Sequence, residues 1–341
     1  MLFHKMRQIY WEIRRLKKDK VLFKITKRRF SFVPYMPYAI YIDATSLCNL
    51  NCITCALHTL PKERRGHLSF ENFKKILSQF PSHFRMIKFS GMGEPLVNPE
   101  IIKMLKYAKE KGFKTSLYTN GTLIDKDNVE QLVISLDSIH FSLDGAKKET
   151  YEYIRRGGDF NKVVDNLSLF IHTANKLRVK VYTSINFVAC KLNYHEIVGI
   201  VDMGYKIGAD EVTVNIIRKM YPEIKIGKYE EKIKDLQKMD REVLSRQIQE
   251  AREISKIKGI RFGIQPLERR WKKCIWPWWG TFITHDGFVT PCCLINTPSV
   301  ITFGNIFKQK FKAIWNNSCY RNFRRKLLTE HPPEVCSKCG L

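Results

Sequence analysis

An α/β fold built on a parallel sheet, followed by a small cysteine-rich unit, is the architecture this sequence predicts. Three observations carry it. Short apolar, β-branched runs alternate with longer helical patterns six times between residues 39 and 216. A long polar helical stretch then ends at Gly259, and beyond it the texture changes to the Trp-rich WKKCIWPWWG. The ten cysteines are bunched: Cys48, Cys52 and Cys55 fall within eight residues, and six more lie in the last 68.

Taken in order, residues 1–36 read as a basic amphipathic helix and linker. Leu2, Met6, Ile9, Ile13 and Leu16 recur at helical spacing, and Pro34 and Pro37 end the pattern. Strands follow at Ala39–Ala44, Met86–Ser90, Thr115–Thr119, Ile139–Leu143, Val179–Phe187 and Glu211–Ile216, with helices near 69–79, 99–111, 125–135, 160–176 and 193–207. These six units, within residues 37–228, fall short of a full eight-unit barrel. Residues 229–270 connect the parts, with one helix over 229–258. The tail, 271–341, shows a hairpin signal, TFITHDGFVTP, turning at Asp286–Gly287, then a short helix at 306–316.

Composition bounds the function. In 341 residues, 44% hydrophobic and 12% aromatic, a disordered chain is excluded. No apolar run is long enough to span a bilayer, and the N-terminus lacks a secretory h-region, so a cytoplasmic protein is expected. The net charge of +26 fits nucleic acid, an anionic membrane surface or acidic partners. Eleven Lys and Arg against two acidic residues fall in the first 30 positions. The expected roles of that helix are docking onto the fold or peripheral contact with the inner face of a membrane.

Ten cysteines in a reducing compartment read as metal or iron–sulfur ligands rather than disulfides. Three thiolates in the loop CNLNCITC, directly after the first strand, hold three corners of a 4Fe–4S cube and leave the fourth iron open, as a reactive site requires. Cys190, in the apolar run INFVAC, reads as a buried core thiol.

Cys-x3-Cys-x2-Cys after the first strand of a six-unit α/β repeat resembles the radical S-adenosylmethionine (radical SAM) superfamily. FSGMGEP after the second strand resembles its Gly-Gly-Glu motif, and YTNG and FSLDG after the third and fourth also match. Glycines allow close backbone approach to a ligand, and a carboxylate suits an ammonium. The resemblance implies a partial (β/α)6 barrel, a 4Fe–4S cluster on Cys48, Cys52 and Cys55, and SAM held by Gly91, Met92, Gly93 and Glu94, with Ser142, Arg155 and Asn186 as further contacts. It departs from the family at Thr54, where a bulky or aromatic residue usually precedes the third cysteine.

The tail resembles the SPASM domains of such enzymes, in the shorter, one-cluster form called twitch. That implies an auxiliary 4Fe–4S cluster on Cys274, Cys292, Cys336 and Cys339. Gly287-x4-Cys292 favours Cys292 over Cys293, which stays unplaced, and Cys319 reads as a helix-face thiol; a four-cysteine zinc site is the alternative. The implied activity is reductive cleavage of SAM to a 5′-deoxyadenosyl radical that takes a hydrogen atom from a peptide, protein or sugar-type substrate. A flavodoxin- or ferredoxin-type protein would supply electrons. Two other readings compete. GMGEPL and the charge suit an RNA-modifying relative, although no appended RNA-binding module is present. A non-enzymatic iron–sulfur electron carrier would leave the open three-cysteine site unexplained.

Overall fold

The computed structural model describes residues 31–57, 65–81, 85–217, 227–264, 274–295 and 297–337. The N-terminal amphipathic helix read over 1–30 lies outside them. No helix among the described residues is long and apolar enough to cross a membrane.

Strand and helix alternate from the start: β1 (Ala39–Ile42), α1 (Phe70–Leu77), β2 (Met86–Phe89), α2 (Ile101–Glu110), β3 (Lys114–Thr119), α3 (Val129–Ser135) and β4 (Ser138–Ser142). They continue with α4 (Lys148–Ile154), α5 (Phe160–Lys176), β5 (Tyr182–Ala189), α6 (Ile197–Ile207) and β6 (Glu211–Ile216). Next come α7 (Gly227–Leu236), α8 (Arg241–Lys258) and β7 (Arg261–Ile264). Side chains cap the ends of these elements. The Ser69 hydroxyl accepts from Asn72 N at the head of α1, Asp159 accepts from Lys162 N at α5, and Asp240 accepts from Val243 N at α8. Helices α6 and α8 stop at Gly208 and Gly259, whose φ values of 88° and 71° lie in the left-handed region.

The tail holds α9 (Trp276–Trp279), β8 (Gly280–Ile283), β9 (Phe288–Thr290), β10 (Gly304–Asn305), α10 (Phe311–Trp315), α11 (Ser318–Leu327) and α12 (Glu334–Ser337). All ten strands form one sheet in the order β10-β9-β8-β1-β2-β3-β4-β5-β6-β7. β1 through β7 pair parallel, β8 pairs parallel with the free side of β1, and β9 and β10 are antiparallel. The hairpin turns where the sequence predicts. Gly287 has φ 84°, and a Cβ there would meet the Phe307 ring at 2.4 Å.

Several features differ from the sequence reading, and the tail holds α9, α11 and α12 besides the one short helix expected at 306–316, which forms as α10. A seventh parallel strand, β7, is short and contains a glycine, so its alternation carries little signal. The stretch read as one helix over 229–258 divides before Asp240, whose carboxylate starts a new helix. α4 was not separated from its surrounding loop, being only seven residues long.

One face of the sheet is covered by helices. Phe73 of α1 packs on Phe89 of β2, and Phe170 of α5 on Phe141 of β4. Strand alternation therefore sends Lys88, Tyr118, His140, Ser142 and Asn186 to the opposite face of the sheet, where Tyr41 of β1 packs on Trp276 of α9. The tail is fastened to the segment before β1. Asn316 exchanges two bonds with the Val33 backbone, and Trp315 Nε1 donates to Tyr35 O at 2.7 Å.

Candidate active site and cluster-binding cysteines

The loop after β1 is held from several sides. Asn51 N and Ile53 N donate to the carbonyls of Arg156 and Ile154, so the loop rests on the end of α4. Leu50 N lies 3.4 Å from Cys48 Sγ and Leu57 N 3.4 Å from Cys55 Sγ, while Asn120 Nδ2 lies 3.9 Å from Cys48 Sγ. Amides aimed at sulfur suit thiolates that share their charge with iron. Burial pushes all three thiols up, and the Arg155 guanidinium opposes this. Bare thiolates are costly there, and a cationic cluster supplies the compensation.

GMGE follows β2 and packs directly on this loop. A Cβ on Gly91 would meet Asp43 Oδ1 at 2.0 Å, and one on Gly93 would meet the carbonyls of Thr45 and Leu47 at 2.1 and 2.5 Å. Both glycines are thus required by the protein's own crowding, whatever ligand also approaches. Glu94 is fully buried. Its Oε1 accepts from Thr119 Oγ1 and Leu96 N, and its Oε2 from Asn120 N at 2.6 Å. Burial raises its pKa and these three donors hold it down. Its carboxylate therefore ties the motif to the end of β3, with acceptor capacity left over. Met92 stands between the two glycines.

Asn120, in the YTNG motif, is a residue that sequence reasoning passed over. It donates to Glu94 through its backbone and to Asn49 Oδ1 through its side chain, and its Oδ1 accepts from Thr122. It joins the cysteine loop to Glu94. The signal was its place in the motif, read as pattern alone.

Ser142, at the end of β4, and Asn186, midway along β5, are register partners, and Asn186 Oδ1 accepts from Asn215 Nδ2 at 2.7 Å. Arg155 is buried and paired with Asp144: Nη2 lies 2.8 Å from Oδ2. Asp144 also accepts from Val188 N, so what reads alone as an Asp–Gly turn is a buried anchor. The buried Nε of Arg155 has no hydrogen-bond partner. A donor left over in this way fits a ligand carboxylate.

The tail brings three of its cysteines together. Desolvation pushes the half-buried Cys292 thiol well up, and the nearby Cys293, Cys274 and Cys336 raise it further. Cys339 lies outside the described residues. Cys319 is exposed on α11, as read. Cys190 is fully buried beside Ile53, Ile154 and Ile217, also as read. The Cys293 thiol is within electrostatic reach of Tyr41, Lys88 and Tyr118. Among the described residues no three Cys, His, Asp or Glu gather as a single metal ion requires.

The radical SAM superfamily matches residues 42–204, and an iron–sulfur cluster-binding domain, SPASM, matches 274–340. The chain belongs to the radical SAM superfamily and is an enzyme that uses SAM, a 4Fe–4S cluster and auxiliary iron–sulfur. Over 323 residues it is 25% identical to the AdoMet-dependent heme synthase of Methanosarcina barkeri, spanning 89% of this chain and 88% of that one. It is 27% identical over 302 residues to AlbA of Bacillus subtilis, a subtilosin biosynthesis protein, spanning 83% of this chain and 60% of AlbA. The fold is similar to that of Streptococcus suis SuiB bound to its precursor peptide SuiA, with TM-score 0.70 and 17% identity over 94% of this chain and 80% of SuiB.

Proposed function

We propose that this enzyme is an oxidoreductase that removes a hydrogen atom from a peptide, protein or sugar-type substrate held on the face of the sheet that carries Tyr41, Lys88 and Tyr118. In this reading Cys274, Cys292, Cys336 and Cys339 would hold an auxiliary 4Fe–4S cluster, which would serve in electron transfer. The observation that supports it most is the position of Cys293. Its thiol is within electrostatic reach of Tyr41, Lys88 and Tyr118, and its neighbour Cys292 within reach of the other tail cysteines. The tail cysteines thus border the face onto which β4 and β5 present Ser142 and Asn186.

Cys48, Cys52 and Cys55 would hold a 4Fe–4S cluster, which in its reduced form would supply the one electron for reductive cleavage of SAM. The chain's own residues bind and orient. Arg155, held by Asp144, directs its unpartnered Nε to the SAM carboxylate. Glu94 and the backbone of Gly91, Met92 and Gly93 receive the ammonium, and Ser142 and Asn186 line the nucleoside side. The buried Asp144–Arg155 pair keeps these groups placed and excludes water from the cluster loop. A flavodoxin- or ferredoxin-type donor suits the net charge of +26. AlbA and the peptide-bound SuiB favour a peptide among the substrate classes.

Anaerobically reconstituted enzyme with dithionite and SAM tests the reading. The expected result is 5′-deoxyadenosine with about eight irons per chain. Absence of 5′-deoxyadenosine with both clusters intact overturns it, and about four irons removes the auxiliary cluster.

A further inference from the structure

We infer that Lys88 is an anion-binding residue of the substrate site, and that the substrate presents a carboxylate to it. The inference rests on the reading that the face carrying Tyr41, Lys88 and Tyr118 holds the substrate. Lys88 leaves β2 on that face, with Tyr41 of β1 and Ser116 of β3 as its register partners. Its Nζ stands 5.4 Å from the Tyr41 ring centroid and 5.5 Å from that of Tyr118. The Tyr118 ring stacks in turn on His140, at 4.2 Å and 14°. Four adjacent strands thus carry a line of three flat rings with one ammonium between two of them. All four side chains are half-buried, so solvent still reaches them.

Among the described residues no carboxylate lies within ion-pair distance of Lys88 Nζ. A half-buried cation without a carboxylate is costly, and the Cys293 thiol within electrostatic reach and the ring faces offset that only in part. The neighbours add no competing cation: burial and Lys88 itself push His140 down to about 3, so its imidazole is neutral at physiological pH. Lys88 sits two residues before Ser90, which directly precedes the Gly91–Glu94 motif, so the charge lies one strand layer beneath it. One ammonium between flat rings matches one carboxylate on a flat or apolar body. A phosphate dianion calls for more donors than this line provides.

The probe is sodium benzoate, titrated by NMR into anaerobic, cluster-loaded enzyme with SAM bound, beside neutral benzamide and inorganic phosphate. Benzoate is expected to bind wild type with a Kd of millimolar order, at least about tenfold tighter than benzamide. Lys88→Met should lose about tenfold for benzoate and Lys88→Arg should stay within about threefold of wild type. A capped Gly-Glu-Gly tripeptide against capped Gly-Gln-Gly then separates sources. Selective binding of the former assigns the carboxylate to a peptide side chain, and benzoate binding without it assigns a small acid. Equal binding of benzoate and benzamide by wild type, no saturable benzoate binding, or a preference for phosphate overturns the proposal. The first comparison needs no variant, so a misfolded Lys88→Met protein does not obscure it. Formation of 5′-deoxyadenosine by wild type reports separately on the reading beneath.

Discussion

Replacing Arg324 with Met should detach the tail and release its iron while sparing the core cluster. Arg324 is fully buried on α11. Its Nε donates to Pro277 O and its Nη1 to Trp315 O, both at 2.8 Å, with longer contacts of 3.2 Å to Ser31 O and Asn316 Oδ1. The guanidinium also lies 4.2 Å from the ring centroids of both Trp315 and Tyr320. Two short charge-assisted bonds contribute roughly 1.5–3 kcal/mol each, and the ring contacts about 1–2 kcal/mol together. Against this, burial holds the guanidinium down to about 10 from 12.5, a cost of about 3 kcal/mol to the charged form. Methionine keeps the volume, escapes that cost and leaves two carbonyls unpaired, for a net loss of about 2–4 kcal/mol. Pro277 lies three residues after Cys274, so the loss falls where the auxiliary site is assembled. Urea unfolding followed by tryptophan fluorescence should show an earlier transition, and iron should fall from about eight toward about four per chain. An unchanged midpoint with unchanged iron, or loss of the core cluster first, refutes the reasoning.

Asp144→Asn removes the partner of a buried guanidinium, a loss of about 3–5 kcal/mol; equilibrium dialysis should show SAM affinity reduced by at least about tenfold while Glu152→Gln, on the same helix as Arg155's approach, is neutral. His140 has a folded pKa pushed down to about 3 from 6.5. The unfolded chain therefore binds the extra proton first, so this contribution is complete above pH 6.5 and lost as pH falls toward 3. His140→Phe, which can keep the stacking, should flatten the urea-midpoint profile by about 2 kcal/mol between pH 7 and pH 5. Gly93→Ala forces a Cβ to 2.1 Å from Thr45 O; reconstituted protein should lose core iron and SAM binding together, and retention of both contradicts the packing described.

The legible part of this structure is the part written in period and spacing. Strand–helix alternation marked β1 to β6, since each strand is an apolar run bounded by polar turns, and β6 matches its read limits at both ends. The cysteine loop stood out because three thiols fall within eight residues at the spacing of cluster ligands. Long-range pairings were not. Nothing local to Asp144 announces Arg155, or to Asn120 announces Glu94, because those contacts form only when strands of distant sequence lie side by side. β8 was visible as half of a hairpin, but its partner on the other side, β1, lies more than 200 residues earlier. Cys293 could not be placed from spacing, since adjacent cysteines in an extended turn point to different surroundings.

The attachment of β8 to β1 has a consequence for how the two cluster-binding regions relate. β1 is paired on both sides, with β2 leading to Gly91–Glu94 and β8 leading to the tail hairpin. At its end Asp43 meets both. Its N donates to Ile283 O at 2.9 Å, its Oδ1 occupies the space a Gly91 Cβ would take, and its Oδ2 stands 3.6 Å from His285 Nδ1. Burial raises the pKa of Asp43 and His285 opposes this. The cysteine loop begins five residues later. A tail joined by a flexible linker would let the distance between the two regions vary, whereas backbone ladders on both edges of one strand hold it constant. If the tail accepts the second electron from a substrate lying across Tyr41, Lys88 and Tyr118, a constant separation is what that transfer needs. The continuous sheet serves that role better than a separate domain would.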